Sequence, residues 1–247
     1  MTKSIRSRGY VRCVAGLILV FAHSAFAAGH NDCEQTLLAV KQHFCEVRKA
    51  PVVSLDSSVK NNEKLPFVPH HGSGRFESAL AMNVQYEPIA SLRRQISEIL
   101  GNPLNFFKEW DPKGEAHVTV VTPVEYFDVL KAYVPIDRID EIARENRLQE
   151  ARIKIFGIGS GRANLDGKME ETLFLVVESE DLLRIRQKIY EEFLAKGGPK
   201  GSWDPKHFYS HITIGYTKRD LHEADGVIKD VFSSLDSRFN LSMKKAR

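Results

Sequence analysis

Two short patterns of histidine and threonine lie roughly ninety residues apart in the chain. Residues 117–120 read His-Val-Thr-Val, and residues 211–214 read His-Ile-Thr-Ile. Side chains on a β-strand alternate between two faces, so each histidine shares a face with the threonine of its pattern, and the aliphatic residues face a core. Two such strands facing each other would surround one small space with two imidazoles and two hydroxyls. That arrangement suits acid–base chemistry on a phosphate.

Reaction at a phosphodiester needs one group that removes a proton from the nucleophile and another that delivers a proton to the leaving oxygen. Histidine, with a reference pKa of about 6.5, serves in either role near neutral pH. Hydroxyl donors stabilise the charge that builds up on the equatorial oxygens. The patterns therefore assign catalysis to His117 and His211, with the acid and the base left open, and phosphate binding to Thr119 and Thr213. This chemistry requires no cofactor and no metal.

The tetrapeptide Trp-Asp-Pro-Lys precedes both patterns, at residues 110–113 and 203–206. The first copy begins seven residues before His117, and the second begins eight residues before His211. Chance repetition of a tryptophan-containing tetrapeptide in front of the same pattern is rare, so we infer an internal duplication. We expect the two tryptophans to pack the loop that enters each motif strand.

Each half of the duplicated region mixes strand and helix patterns. Apolar residues at helical spacing indicate the helices, as in Leu182, Ile185, Ile189 and Phe193. The predicted strands are 78–84, 117–122, 151–158, 172–177, 209–216 and 238–243, and the predicted helices are 88–100, 123–132, 136–147, 182–193 and 227–235. These elements predict an α+β fold of two pseudo-symmetric lobes, each an antiparallel sheet backed by helices, with the active site in the cleft between the lobes.

Two His-x-Thr-x patterns on strands, about ninety residues apart, resemble the 2H phosphoesterase superfamily. That superfamily includes 2′,3′-cyclic phosphodiesterases, bacterial RNA 2′,5′-ligase-like proteins and 2′,5′-oligoadenylate phosphodiesterases. The resemblance covers roughly residues 75–243. It implies the same roles as the chemistry above: His117 and His211 as general acid and base, and Thr119 and Thr213 as phosphate-binding residues.

Two further residues are candidates for substrate binding. Several members of the superfamily place an arginine a few residues after the second motif, on the cleft side. Lys218 and Arg219 follow the motif here, and we take Lys218 as the candidate for that contact. Tyr209 shares the strand face of His211 and is a candidate for stacking on a base.

The first 27 residues have the pattern of a secretory signal. Four basic residues come first, an apolar stretch at 14–21 follows, and Ala25-Phe26-Ala27 supplies the small-x-small cleavage pattern. We therefore divide the chain into a signal peptide at 1–27, an N-terminal helical segment and linker at 28–74, and a duplicated domain at 75–247. Cleavage after Ala27 would give a secreted or periplasmic protein with no membrane attachment.

Removal of the signal changes the charge of the chain. The full sequence carries a net charge of +3, and residues 1–27 contribute four positive charges and no acid, which leaves the remainder slightly acidic. Proteins that grip long duplex nucleic acid usually show a basic footprint. We therefore expect a nucleotide or a short oligonucleotide as substrate, no binding of long duplex nucleic acid, and a monomer.

Two cysteines follow the signal, and they support two incompatible readings. An oxidising compartment permits a disulfide between Cys33 and Cys45. The segment from 31 to 49 also has the pattern of one helix, in which these Cα atoms would lie roughly 18 Å apart. A disulfide requires a Cα separation below about 7 Å. The sequence leaves the choice open.

The leading hypothesis is a secreted, metal-independent phosphodiesterase that hydrolyses a 2′,3′-cyclic phosphate or a 2′,5′-linked oligonucleotide by histidine general acid and base catalysis. One alternative is a non-catalytic module of the same fold that binds a nucleotide or an RNA end. Another is a metallohydrolase that uses His70, His71 and His207 together with the motif histidines. For the pair His70-His71, in a loop rich in glycine and proline, we expect an exposed position.

Overall fold

The two motif strands lie side by side at the centre of a five-stranded sheet in the computed structural model, which describes residues 49–108 and 111–245. Neighbouring strands of this sheet are antiparallel, in the order β2-β3-β6-β5-β4, and β1 pairs with β7 in a separate parallel ribbon. The strands are β1 (Val52–Asp56), β2 (Leu80–Asn83), β3 (His117–Val121), β4 (Lys154–Leu165), β5 (Lys168–Glu178), β6 (His211–Tyr216) and β7 (Asn240–Lys244).

The helices begin and end where local chemistry favours it. Thr122 and Glu125 form a reciprocal capping box at the start of the second helix, and Ser179 caps the fourth. Gly101, in the left-handed conformation, ends the first helix. The helices are α1 (Tyr86–Leu100), α2 (Pro123–Asp128), α3 (Ile136–Glu145) and α4 (Glu180–Ala195).

One face of the central sheet is the core of the protein. Val118, Val120, Ile212 and Ile214 are fully buried there. The helices α1 and α4 contribute their apolar stripes to the same cluster, as the helical spacing predicted. The alternation along β3 and β6 therefore places the histidines and threonines of the motifs on the opposite face of the sheet.

The predicted α+β class, an antiparallel sheet backed by helices, is confirmed. The two halves of the duplication, β2–β3 and β6–β5–β4, meet where Val118 pairs with Ile212. The halves that we expected as lobes on either side of a cleft are thus joined through one continuous sheet. Pairing satisfies backbone groups that two separate, buried strand edges would leave without partners.

Two segments differ from the predicted elements. Residues 227–235 form irregular structure with a turn at 231–233 instead of a helix, because the Asp230 carboxylate accepts hydrogen bonds from the backbone N–H groups of Phe232 and Ser233. Residues 50–64, expected within a linker, form β1 and two short 3-10 helices, with Val53 and Leu55 buried in the core. Compact packing therefore extends from Ala50 onward.

The predicted signal peptide, the cysteine pair Cys33 and Cys45, and Trp110 of the first tetrapeptide lie outside the described residues. Within residues 49–108 and 111–245, no helix combines the length and apolar character that crossing a membrane requires.

Candidate active site

The pairing of β3 with β6 brings the four predicted motif residues onto one patch of the sheet. Val118 lies opposite Ile212, and antiparallel continuation by one residue in each direction places His117 across from Thr213 and Thr119 across from His211. The two histidines are then diagonal neighbours, with Cα atoms about 7–8 Å apart. A tetrahedral phosphate flanked by two imidazoles fits a span of this size.

His117 is buried between an aromatic ring and titratable side chains. Its ring stacks on Phe107, with centroids 5.4 Å apart and planes inclined by 27°, and the ring of His70 lies 6.5 Å away. Glu115 approaches its Nδ1 at 4.0 Å. Burial, reinforced by the neighbouring His70, lowers the pKa of His117 to about 4. The neutral imidazole is therefore favoured at neutral pH.

His211 is held at both ring nitrogens. Nδ1 lies 2.7 Å from the carbonyl oxygen of Tyr209, and Nε2 lies 3.1 Å from Nζ of Lys229. A carbonyl only accepts and an ammonium only donates, so the arrangement fixes the neutral tautomer with its proton on Nδ1. Burial, followed by the charge of Lys229, lowers the pKa of His211 to about 3. The edge of Phe174 closes one side of the ring at 5.7 Å.

Lys229 belongs to a buried ion pair beside His211. Its Nζ lies 2.9 Å from each carboxylate oxygen of Asp220, and the two side chains are only 3% and 4% exposed. Asp220 also accepts hydrogen bonds from the hydroxyls of Thr172 and Thr213. Burial opposes ionisation of Asp220, but the ammonium of Lys229 holds the pKa of this carboxyl below its ordinary value. The second motif thus rests on a satisfied, charged network.

Sequence reasoning did not find Lys229 or Asp220. Asp220 lies seven residues after Thr213, and Lys229 lies in a segment that the sequence predicted as a helix. Neither belongs to a spacing pattern, and a buried lysine has the same sequence signal as an exposed one. Only the fold of the 221–239 segment, which returns over β5 and β6, reveals the contact.

His70 also lies closer to the site than the sequence indicated. We expected an exposed loop, but the side chain is 5% exposed. The backbone of His70 pairs with Ala79 next to β2, and this pairing turns the histidine towards His117. Its neighbour His71 instead contacts Asp140 of α3 at 2.8 Å, so the two adjacent histidines serve different parts of the structure.

The side chains of the other two predicted binding residues, Lys218 and Tyr209, contact residues outside the motifs. Nζ of Lys218 lies 2.7 Å from Oδ2 of Asp166 in an exposed ion pair at the β4–β5 turn. Tyr209 is half-buried, and its ring packs on the edge of His207 at 5.1 Å. Among the described residues, the cation in contact with a motif histidine is Lys229, not Lys218.

A buried arginine from each half contacts the motif strand of the other half. Arg186 of α4 donates from Nη1 to the carbonyl of Val120, 2.6 Å away. Arg93 of α1 donates to the carbonyl of Ile214 at 3.3 Å. Val120 and Ile214 are the fourth residues of the two motifs, so each half anchors the motif strand of the other half. This reciprocal contact is an independent structural sign of the duplication.

The second tetrapeptide has a structural role. Trp203 is buried, and its Nε1 donates to the Glu125 carboxylate at 2.9 Å. Asp204 accepts a bond from the backbone N–H of Lys206 at 2.9 Å, and Asp111 makes the same turn in the first copy. Both loops therefore share one local conformation in front of their motif strands.

Of the residues in the metallohydrolase hypothesis, His70 lies beside His117, but His71 and His207 are paired elsewhere. His207 pairs with Glu223 at the surface, whereas His71 pairs with Asp140. Within the part of the chain that the structure describes, no group of three or more histidine, cysteine, aspartate or glutamate side chains has the geometry to hold a metal ion. That geometry does not support the metal alternative.

Comparison with known proteins gives one family. The family model described as a Swiss Army Knife, 2H phosphoesterase domain matches residues 78–222, which contain both motifs and Asp220. No curated protein and no solved structure gives a significant match. Lys229 lies beyond the matched residues.

Proposed function

Because the chain belongs to the Swiss Army Knife family of 2H phosphoesterase domains, we propose that it is a secreted, metal-independent phosphodiesterase that hydrolyses a 2′,3′-cyclic phosphate or a 2′,5′-linked oligonucleotide. The resemblance noted from the two motifs is confirmed at the level of the family. The residues proposed for the chemistry are His117 and His211 as acid and base, with Thr119 and Thr213 holding the phosphate.

One observation carries the proposal: both histidines and both threonines lie on the same face of two paired strands. This face can present an imidazole on either side of one phosphorus atom. In the hydrolysis step, one histidine takes a proton from water as the water oxygen bonds to phosphorus. The other histidine gives a proton to the leaving ribose oxygen as its bond to phosphorus breaks. The threonine hydroxyls stabilise the equatorial oxygens, and for this Thr213 must turn its single O–H from Asp220 to the phosphate.

A substrate panel in the presence of EDTA tests this proposal. It should contain 2′,3′-cyclic nucleotides, 3′,5′-cyclic nucleotides, 2′,5′-oligoadenylates and RNA ending in a cyclic phosphate. We expect turnover of the first, third or fourth class without added metal. The position of the phosphate in the product then identifies which ester bond breaks and which histidine serves as the acid.

Alanine variants assign the residues. His117→Ala and His211→Ala should each reduce kcat by about 10²–10⁴-fold, the usual contribution of general acid or base catalysis. His207→Ala is the matched control, since this exposed histidine contacts Glu223 outside the motif face. Circular dichroism and urea denaturation should show that the variants remain folded.

Three outcomes would speak against the proposal. Activity that EDTA abolishes, together with a loss in His207→Ala, would favour the metal-dependent alternative. Full activity in both motif variants would remove the histidines from the chemistry. Tight binding of a cyclic nucleotide or RNA end with no turnover would favour the non-catalytic binding module.

The secreted location is a separate part of the proposal. It is supported by the basic and apolar segments that precede Ala27. Expression of the full chain in a bacterial host, followed by mass spectrometry of the periplasmic and culture fractions, should find a mature N-terminus at residue 28. An intact N-terminus confined to the cytoplasm would contradict it.

A further inference from the structure

Lys229 occupies a position that folding alone does not favour. A buried ammonium is costly unless it is paired, and a buried ion pair generally adds little stability compared with apolar residues of the same size. Here the lysine is 3% exposed and directs its hydrogen bonds to the two oxygens of Asp220 and to Nε2 of His211. A charged group kept at this cost, in contact with a motif histidine, points to a role in the site.

The contact determines the state of the His211 ring. Nε2 faces a group that only donates, and Nδ1 faces a carbonyl that only accepts. The single lone pair of Nε2 is therefore directed at the Lys229 ammonium, and the ring cannot rotate by 180° without losing both interactions. Asp220 fixes the lysine in turn, because both of its oxygens lie 2.9 Å from Nζ.

We propose that Lys229, anchored by Asp220, is a positioning residue of the phosphodiester site, which holds the His211 ring in one orientation and in the neutral tautomer with its proton on Nδ1. This inference rests on the proposed function for its catalytic meaning. The role of the lysine in fixing the ring is independent of the substrate. The same ammonium also brings positive charge to the face on which a phosphodiester would bind.

Several charged or titratable groups surround His211. Asp220 and His222 follow β6, Lys229 comes from the segment before β7, and His117 lies diagonally across on β3. The carboxylate of Asp220 favours protonation of His211, while the ammonium of Lys229 and the charge of His222 oppose protonation. Loss of the lysine charge leaves the carboxylate unopposed, so the pKa of His211 should rise.

Lys229→Met tests the inference, because methionine keeps the length of the side chain and removes its charge. Histidine titration by NMR should show the His211 midpoint raised by about one unit or more, the size of effect that a nearby charge produces. The acidic limb of the kcat/KM profile should move to higher pH by a similar amount. Lys229→Arg, which keeps the charge, should restore the low midpoint of His211. Lys188→Met is the matched control, because Lys188 forms an exposed ion pair with Glu191.

The parent protein provides a test that does not depend on any variant folding. Imidazole ¹⁵N shifts at pH 7 should identify His211 as neutral with its proton on Nδ1. A protonated ring, or a proton on Nε2, would overturn the inference, and so would an unchanged His211 midpoint in folded Lys229→Met. If no phosphodiester in the panel is hydrolysed and the NMR results hold, the proposed function fails while the action of Lys229 on His211 stands.

Discussion

Replacement of Arg186 by methionine tests the structural basis of the site. The guanidinium lies 1% exposed between the rings of Trp203 and Phe208, at 4.7 and 4.9 Å. It contacts both carboxylate oxygens of Glu125 and the carbonyl of Val120, and it reaches the backbone of the loop before β6. One side chain therefore connects α4, α2, β3 and the second tetrapeptide.

The expected cost of Arg186→Met is about 3–5 kcal/mol, the range measured when one partner of a buried ion pair is removed. Methionine retains most of the aliphatic packing between the two rings, so little of this cost comes from lost apolar burial. The loss comes from the half-buried carboxylate of Glu125, which loses its counter-charge but keeps the donors of Trp203 and Thr122, and from carbonyl oxygens that lose a donor, at about 1–3 kcal/mol for each unsatisfied group. Because the ion pair and the carbonyl bonds involve the same guanidinium, their costs overlap, and the total stays within the range of about 3–5 kcal/mol.

Arg93→Met provides a matched comparison in the other half of the duplication. Arg93 is 8% exposed, stacks on Phe106 at 3.7 Å and donates to the hydroxyl of Tyr86 and the carbonyl of Ile214. Within the described residues these partners are uncharged, so its replacement should cost about 1–2 kcal/mol. The two variants remove the same group from equivalent positions, and the difference between them measures the charged part of the Arg186 contact.

Urea denaturation at pH 7, followed by circular dichroism, measures both costs. We expect Arg186→Met to lose more free energy of unfolding than Arg93→Met, by about 1–4 kcal/mol. In the folded state, activity should fall in Arg186→Met, because Val120 ends the motif that carries His117. Equal costs for the two variants, or a cost below about 1 kcal/mol for Arg186→Met, would refute this account of how the halves are joined.

Two further predictions concern stability. Burial lowers the pKa of His117 to about 4 and the pKa of His211 to about 3, so the unfolded chain takes up these protons first as pH falls below about 6.5. The free energy of unfolding should therefore decrease from pH 6.5 to 4, by up to about 1.4 kcal/mol per pH unit for each histidine. Urea titrations of a His117→Asn, His211→Asn double variant should show a shallower dependence of this free energy on pH. A Cβ added at Gly215 would lie 2.8 Å from the carbonyl oxygen of Asn105. Gly215→Ala should therefore lower the free energy of unfolding by about 1–3 kcal/mol. An unchanged thermal midpoint would contradict this contact.

The parts of this protein that sequence reasoning predicted are those with a period or a repeat. Alternation in β3 and β6 identified the two faces of each motif strand, and the apolar spacing of α4 identified its buried stripe. The repeated tetrapeptide predicts a duplication, and the reciprocal arginine contacts agree with that prediction. These signals are local, so they can be read from the sequence without knowledge of the fold.

The contacts that sequence reasoning missed join residues without such periodicity. The helix predicted at 227–235 failed because the Asp230 side chain binds nearby backbone N–H groups and favours turns. That turn region also begins just after Lys229, whose burial depends on a partner nine residues earlier, Asp220. His70 was missed for a related reason, since its pairing with Ala79 is a tertiary contact made within a glycine- and proline-rich stretch.

The duplication produces two equal motifs, but the structure gives them unequal surroundings. His117 lies against the ring of Phe107 and near His70 and Glu115, whereas His211 lies against the ammonium of Lys229, which is held by Asp220. Burial lowers the pKa of both rings, so the general acid of the proposed step takes up its proton when the anionic substrate binds. The neighbours of the two rings differ in sign, since Lys229 opposes protonation of His211 and the Glu115 carboxylate lies 4.0 Å from His117, and such differences are the means by which proteins divide acid and base work. In this fold that difference comes from residues outside the repeated motifs.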